Sequence, residues 1–130
     1  MRLISWNVAG RKTKLAGQLD AVGLRRPDVV ALQEITPGTE AAWRDGLQRA
    51  GFDHILSSAE LARNGYEATG PRRYSLILAS RWELTSHPPN DFQIPWPERV
   101  LSATVDVTGT AVDVHTTYVW SSPVSTDTLD

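Results

Sequence analysis

The sequence predicts a mixed α/β fold, in which helices pack on a partly parallel β-sheet. Three observations carry this. Val29-Val30-Ala31-Leu32 is a short, nearly unbroken apolar run, as in a strand buried on both faces. The segments before and after it have helical spacing, so strands and helices alternate through the first half of the chain. Val100 to Val107 and Ala111 to Tyr118 alternate apolar and polar residues on either side of Thr108-Gly109, the pattern of a hairpin.

Arg2 to Asn7 reads as a strand that stops at a turn, because the polar Asn7 is followed by Ala9-Gly10. Leu15, Leu19 and Val22 fall on one side of a helix over Lys14 to Val22, closed by Gly23 and Pro27. Asp28 to Ile35 is the second strand. Thr39 to Ala50 is the second helix, with Thr36 or Thr39 as its cap and Gly51 at its stop. Phe52 to Ser57 is a third strand, and Ser58 to Arg63 a helical turn or more. Asn64 to Arg73, with two glycines and a proline, is a loop. Tyr74 to Ser80 is a strand that Trp82 to Thr85 continues or succeeds, and proline-rich Ser86 to Pro97 is irregular. A strand, helix, strand order makes the first two strands parallel. Their carboxyl ends then share one rim of the sheet, where open α/β sheets bind ligands.

Composition excludes several functions. The chain has no cysteine, so disulfides, zinc-thiolate sites and cysteine nucleophiles are ruled out, and a reducing cytoplasm suits it. No apolar run reaches the ~20 residues of a membrane helix, and the start lacks a signal-peptide pattern. The expectation is a cytoplasmic protein. A net charge of −2 does not mark a dedicated duplex-DNA binder, so a polyanion would be held by local cations or a metal. Dinucleotide and P-loop glycine motifs, a G-x-S-x-G elbow and a zinc set are all missing.

Asn7 and Glu34 each close a predicted parallel strand. A carboxylate beside a carboxamide suits a hard cation such as magnesium, which prefers oxygen and keeps several waters. A strand-end glutamate is also commonly just solvated, and an asparagine commonly closes a turn. His115 and Tyr118, near the end of the last strand, offer donors to a phosphate oxygen, or are a strand histidine and a rim aromatic. Arg72 and Arg73, before a strand, and Arg99, after Pro97-Glu98, each offer a contact to a phosphate, or are ordinary exposed arginines beside loops. The adjacent Asp53-His54 begins a strand at the edge opposite Glu34 and reads as structural.

Arg2-Leu3-Ile4-Ser5-Trp6-Asn7-Val8 resembles the opening strand of the endonuclease/exonuclease/phosphatase superfamily. Pro27-Asp28-Val29-Val30-Ala31-Leu32-Gln33-Glu34 resembles its second signature, a strand ending in a metal-ligand glutamate. Arg73 to Arg81, Pro97 to Ala103 and Val114 to Val119 are similar to later core strands. The resemblance covers residues 1–119 as a partial domain and leaves 120–130 as an irregular tail. It implies half of a four-layer α/β/β/α sandwich and metal-assisted hydrolysis of a phosphoester, nucleic acid being one substrate class. By the same resemblance Glu34 would bind Mg²⁺ or Mn²⁺ and Asn7 would help orient the metal site. Tyr118 would touch phosphate, with His115 as the competing match.

The sequence also departs from that pattern. No Asp-x-Asn occurs, and no histidine follows His115, so the family's later Asp-x-Asn and Asp-His motifs have no counterpart. Trp120-Ser121-Ser122-Pro123 stands where a phosphate-side loop is expected. The expectation is a truncated phosphoesterase, weak or inactive as this chain alone. One alternative is a non-catalytic binding or dimerisation module, and another is a remnant without a selected role. Half a sandwich would expose Leu76, Leu78, Val105, Val112 and Val114, inviting a homodimer or a complementing chain.

Overall fold

The computed structural model describes residues 1–63, 74–87 and 99–118. The expected loop at 64–73, most of the irregular stretch ending at Pro97, and the tail after Tyr118 lie outside the described residues. In chain order the elements are β1 (Leu3–Asn7), α1 (Leu15–Arg25), β2 (Val29–Ile35), α2 (Glu40–Arg49), β3 (His54–Ser57), α3 (Ser58–Arg63), β4 (Ser75–Ser80), β5 (Leu84–His87), β6 (Val100–Val107) and β7 (Thr110–Thr117).

They form two sheets. The first has the order β1-β2-β4-β3 and the second β5-β6-β7. β1 and β2 run parallel, from Leu3↔Val29 to Asn7↔Gln33, while every other pairing is antiparallel. Trp82 to Thr85 does not simply prolong β4. Ser80 Oγ accepts the Trp82 N–H at 2.9 Å, and the chain turns there into β5, the first strand of the second sheet. α1 outlasts its expected stop at Gly23 and runs to Arg25. Its limit is Pro27, which disfavours the right-handed helical region for the residue before it. Arg26 instead takes a left-handed conformation (φ 46°), and its N–H bonds the Gly23 carbonyl at 3.2 Å. Thr39 precedes α2 but does not cap it, since its hydroxyl bonds back to Thr36.

Two apolar layers hold the sheets. Val30, Leu32, Ile35, Ile77 and Ala79 pack under the helices with Val22, Trp43 and Leu47. Val29, Ala31, Leu76 and Leu78 pack against Leu101, Ala103, Val105 and Val114 of the second sheet. β2 and β4 are thus apolar on both faces, which explains their unbroken apolar runs. The arrangement is helices, sheet, sheet.

The expectation of an exposed apolar face is therefore corrected. Leu76, Leu78, Val105 and Val114 are buried and Val112 is half-buried. The hairpin strands do not extend the first sheet but form their own, which folds across it. The homodimer or complementing chain expected on that face loses its basis. Exposed large apolar residues are scattered: Met1, Leu3 and Leu24.

One irregularity in β2 sets the direction of Glu34. Leu32 pairs with Ile77 but Ile35 with Ser75, so β2 places one extra residue in this stretch. Gln33 points toward the second sheet, as Ala31 does, and Ile35 packs under the helices, as Leu32 does. Uninterrupted alternation would turn Ile35 toward the second sheet and Glu34 into the helical layer. The bulge absorbs Glu34, whose φ is +60°, and keeps its carboxylate out of the apolar layer. At the other end of the sheet, Arg81 acts as a staple. Its guanidinium lies 4.4 Å above the Phe52 ring and donates to the carbonyls of Pro27 (3.1 Å) and Ala50 (3.3 Å), the latter ending α2.

Two outcomes test this geometry. A left-handed conformation costs a residue with a β-carbon about 1–2 kcal/mol. Glu34→Gly is expected to be more stable than Glu34→Ala by about 1 kcal/mol, the reverse of the usual order inside a strand or helix. Urea denaturation giving Ala the advantage would remove the bulge geometry from the account. Arg81→Ala is expected to lower stability by about 1–2 kcal/mol, from lost cation–π and charge-assisted contacts. An unchanged urea midpoint would show that the staple contributes nothing.

Candidate metal and phosphate site

Parallel pairing brings the ends of β1 and β2 to one rim. Asn7 lies opposite Gln33, and Glu34 is the next residue. The Asn7 Oδ1 accepts the Ala9 N–H at 3.0 Å, closing an Asx-type turn. Ala9 (φ 59°) and Gly10 (φ 62°) then reverse the chain in left-handed conformations. Gly10 is needed for a second reason: a β-carbon there would lie 2.7 Å from Thr36 Cγ2. The loop after β1 therefore seats directly on the loop after β2.

The second sheet completes the rim. Gln33 Nε2 donates to Thr116 Oγ1 at 3.0 Å, and Tyr118 Oη donates to Glu34 Oε1 at 3.4 Å. The Tyr118 ring meets Tyr74 edge to face, with centroids 5.7 Å apart and planes at 78°. Glu34 is half-buried, whereas Asn7 is exposed. The carboxylate thus sits in a wall of aromatic and hydroxyl groups with one side open to solvent.

Of the residues singled out by sequence, the structure gathers Asn7, Glu34 and Tyr118 at this rim. Arg99 belongs to the same end, since its carbonyl accepts the Tyr118 N–H at 2.9 Å. His115 does not join them. It pairs with Ser102, whose Oγ lies 2.7 Å from His115 Nδ1. Strand alternation puts that pair on the outer face of the second sheet, because Val114 faces inward. Arg72 and Arg73 lie outside the described residues. Asp53 and His54 are exposed at the far end, where His54 pairs with Ser80 while the rim lies at Ser75.

Sequence reasoning misses two features of the rim. Gln33 reads there as a generic polar residue, although its place directly before Glu34 is visible. Arg11, Lys12 and Lys14 put three exposed cations in the loop after Asn7. Lys12 stretches across Gly38, where a β-carbon would meet its Nζ at 3.3 Å. A basic run directly after the first strand is the available signal.

The donor set restricts what could bind. Among the described residues no group of three or more His, Cys, Asp or Glu side chains is placed to hold a metal. One carboxylate with a neighbouring carboxamide oxygen fits a hard cation that retains most of its water, and does not fit a zinc ion in a closed tetrahedral cage. Among the described residues no helix is long and apolar enough to cross a membrane.

Comparison with known proteins agrees with the fold. An endonuclease/exonuclease/phosphatase from Beutenbergia cavernae is similar over 92% of this chain and 38% of its own, with 22% identity and a TM-score of 0.63. A humanized TDP2 of D. rerio is similar over 98% of this chain and 53% of its own, at 21% identity and a TM-score of 0.65. An AP endonuclease from Archaeoglobus fulgidus is similar over 89% of this chain and 40% of its own, at 20% identity and a TM-score of 0.59. The chain thus spans between about two fifths and about half the length of these solved relatives. No curated protein sequence matches it. The model of the Endonuclease/Exonuclease/phosphatase family matches residues 4–128, running past Val119, where the motif resemblance ended. That family consists of phosphoester hydrolases, nucleases and phosphatases among them, and generally uses divalent metal ions. Matched by this family's model over nearly its whole length, the chain belongs to the endonuclease/exonuclease/phosphatase family.

Proposed function

We propose that Glu34 and Asn7 hold a hydrated divalent cation, Mg²⁺ or Mn²⁺, and that this rim receives the phosphate of a phosphoester substrate. The observation that carries the proposal is that three segments distant in the chain meet at one rim. Asn7 ends β1, Glu34 sits in the bulge of β2, and Tyr118 reaches Glu34 from the second sheet. When bound, such an ion polarises a phosphoryl oxygen and stabilises a leaving alkoxide.

The chain's own residues do the rest. Glu34 supplies the anionic oxygen, and the Tyr118 hydroxyl orients it. In this reading Tyr118 is also a phosphate contact, its single O–H turning from Glu34 to a phosphate oxygen when substrate is bound. Arg11, Lys12 and Lys14 supply local positive charge beside the ion in a chain of net charge −2. Arg99, at the end of the sheet, and Arg73 are further phosphate contacts in this reading. His115 faces away and takes no part.

A nucleic acid strand is one substrate class that suits a cationic loop next to a phosphate-binding rim. The solved relatives include an AP endonuclease and a 3′ phosphatase bound to a product DNA hairpin, so that chemistry occurs on this fold. Activating the attacking water requires a positioned base or orienting group, and losing one costs about 10²-fold or more in rate. The 130 residues contain no Asp-x-Asn motif, so slow turnover by this chain alone is part of the proposal. A non-catalytic module docking through its apolar sheet face has no support, because that face is covered.

The test is metal binding first and cleavage second. Titrated with Mn²⁺ and read by electron paramagnetic resonance, Glu34→Gln is expected to bind at least about 10-fold more weakly than the unaltered chain, as loss of a ligating charge requires. Equal affinities would remove Glu34 from the metal site. With a bis-phosphodiester substrate, any cleavage is expected to need the metal and to vanish in Glu34→Gln.

A further inference from the structure

We infer that Gln33 is a positioning residue: its side-chain amide locks the second sheet against the first so that Tyr118 stands over Glu34. The inference rests on the proposed site in that it concerns the same carboxylate, but its central claim is geometric and is tested separately.

The orientation of the Gln33 amide is determined by one neighbour. Nε2 lies 3.3 Å from the Ala31 carbonyl oxygen, 3.1 Å from Ser5 Oγ and 3.0 Å from Thr116 Oγ1. A carbonyl can only accept, so the atom facing Ala31 must be the nitrogen. Its two hydrogens serve three acceptors on β1, β2 and β7 together. No other described amide links three strands from both sheets in this way.

The location matters more than the number of bonds. The layer between the sheets is apolar, and apolar contact is non-directional, so it permits small sliding of one sheet over the other. A directional bond at the rim opposes sliding where it would do most harm. Gln33 is the residue before Glu34, and Thr116 is two residues before Tyr118, which directly follows β7 and packs on the same inter-sheet side. The Gln33–Thr116 bond (3.0 Å) and the Tyr118–Glu34 bond (3.4 Å) therefore run side by side between the sheets. Thr116 is 5% exposed, so its hydroxyl has little water to fall back on if Gln33 is lost. The longer second bond takes its register between the sheets from the shorter first one.

The experiment reads the Tyr118 phenol directly. The chain has three tyrosines, Tyr66, Tyr74 and Tyr118, so labelling tyrosine Cζ with ¹³C gives a spectrum that Tyr118→Phe assigns. Gln33→Leu keeps the volume and removes the donors. The Tyr118 signal is expected to move toward its position in Glu34→Ala. Thr116→Val, which removes a single hydroxyl, is expected to move it the same way, and the double variant no further. A Tyr118 signal unchanged in Thr116→Val, or shifts that simply add in the double variant, would overturn the inference. Thr116→Val also serves if Gln33→Leu does not fold. A parallel Mn²⁺ titration separates the two claims. Gln33→Leu is expected to bind about 10-fold more weakly, the usual loss when a group supporting a metal ligand is removed. If the unaltered chain and Glu34→Ala bind Mn²⁺ alike, the metal site fails while the Tyr118 signal still decides the role of Gln33.

Discussion

Between Leu32 and Ile35, β2 carries one residue more than β4 needs, and the direction of every neighbouring side chain depends on that. Ile35 returns to the helical layer, Gln33 stays on the side of the second sheet, and Glu34 is left in a left-handed backbone conformation. A regular strand would drive the carboxylate into an apolar layer, where an unpaired charge costs several kcal/mol. The bulge instead costs local strain of about 1–2 kcal/mol. Strain is the smaller of the two, and it yields a half-buried carboxylate open to the rim.

Ala9, Gly10 and Glu34 all have positive φ and all lie in the rim formed by the first two strands. The remaining positive values among the described residues belong to ordinary chain reversals, at Arg26, at Gly51 and in the Thr108-Gly109 hairpin turn. The opposite end of the sheet is built for cohesion. There Arg81 ties together the start of β2, the end of α2 and the Phe52 ring, using contacts that have no part in the rim. The cohesive contacts and the proposed site thus occupy opposite ends of one sheet, joined by β2 and β4, which are apolar on both faces.

The two-sheet arrangement gives the rim its second wall. Without this wall the Glu34 carboxylate would lose its hydrogen bond from Tyr118. With β7 in place, Tyr118 contacts it and Tyr74 supports the Tyr118 ring. Oriented donors around a carboxylate are what a metal ligand needs, because affinity depends on how firmly the ligand is held. The solvent-facing side of the rim lies beside the exposed Asn7 and the exposed Arg11–Lys14 loop.

Most of the element order was legible in the chain itself. The apolar run at Val29–Leu32 announced a strand covered on both faces, the spacing of Leu15, Leu19 and Val22 announced α1, and Thr108-Gly109 announced the hairpin. Asn7 and Glu34 could be placed at one rim because a helix between two strands makes them parallel. Three decisions belonged to the tertiary structure. The hairpin strands formed a separate sheet, which covered residues expected to be bare. The bulge chose the side on which Glu34 emerges. The inward face of β7 took Tyr118 and left His115 outside. Local periodicity tells which residues of a strand share a face, but it does not tell which face meets which layer. A one-residue shift in pairing reverses that assignment. Only contacts between segments far apart in the chain, such as Leu32 with Ile77 and Gln33 with Thr116, select among these outcomes.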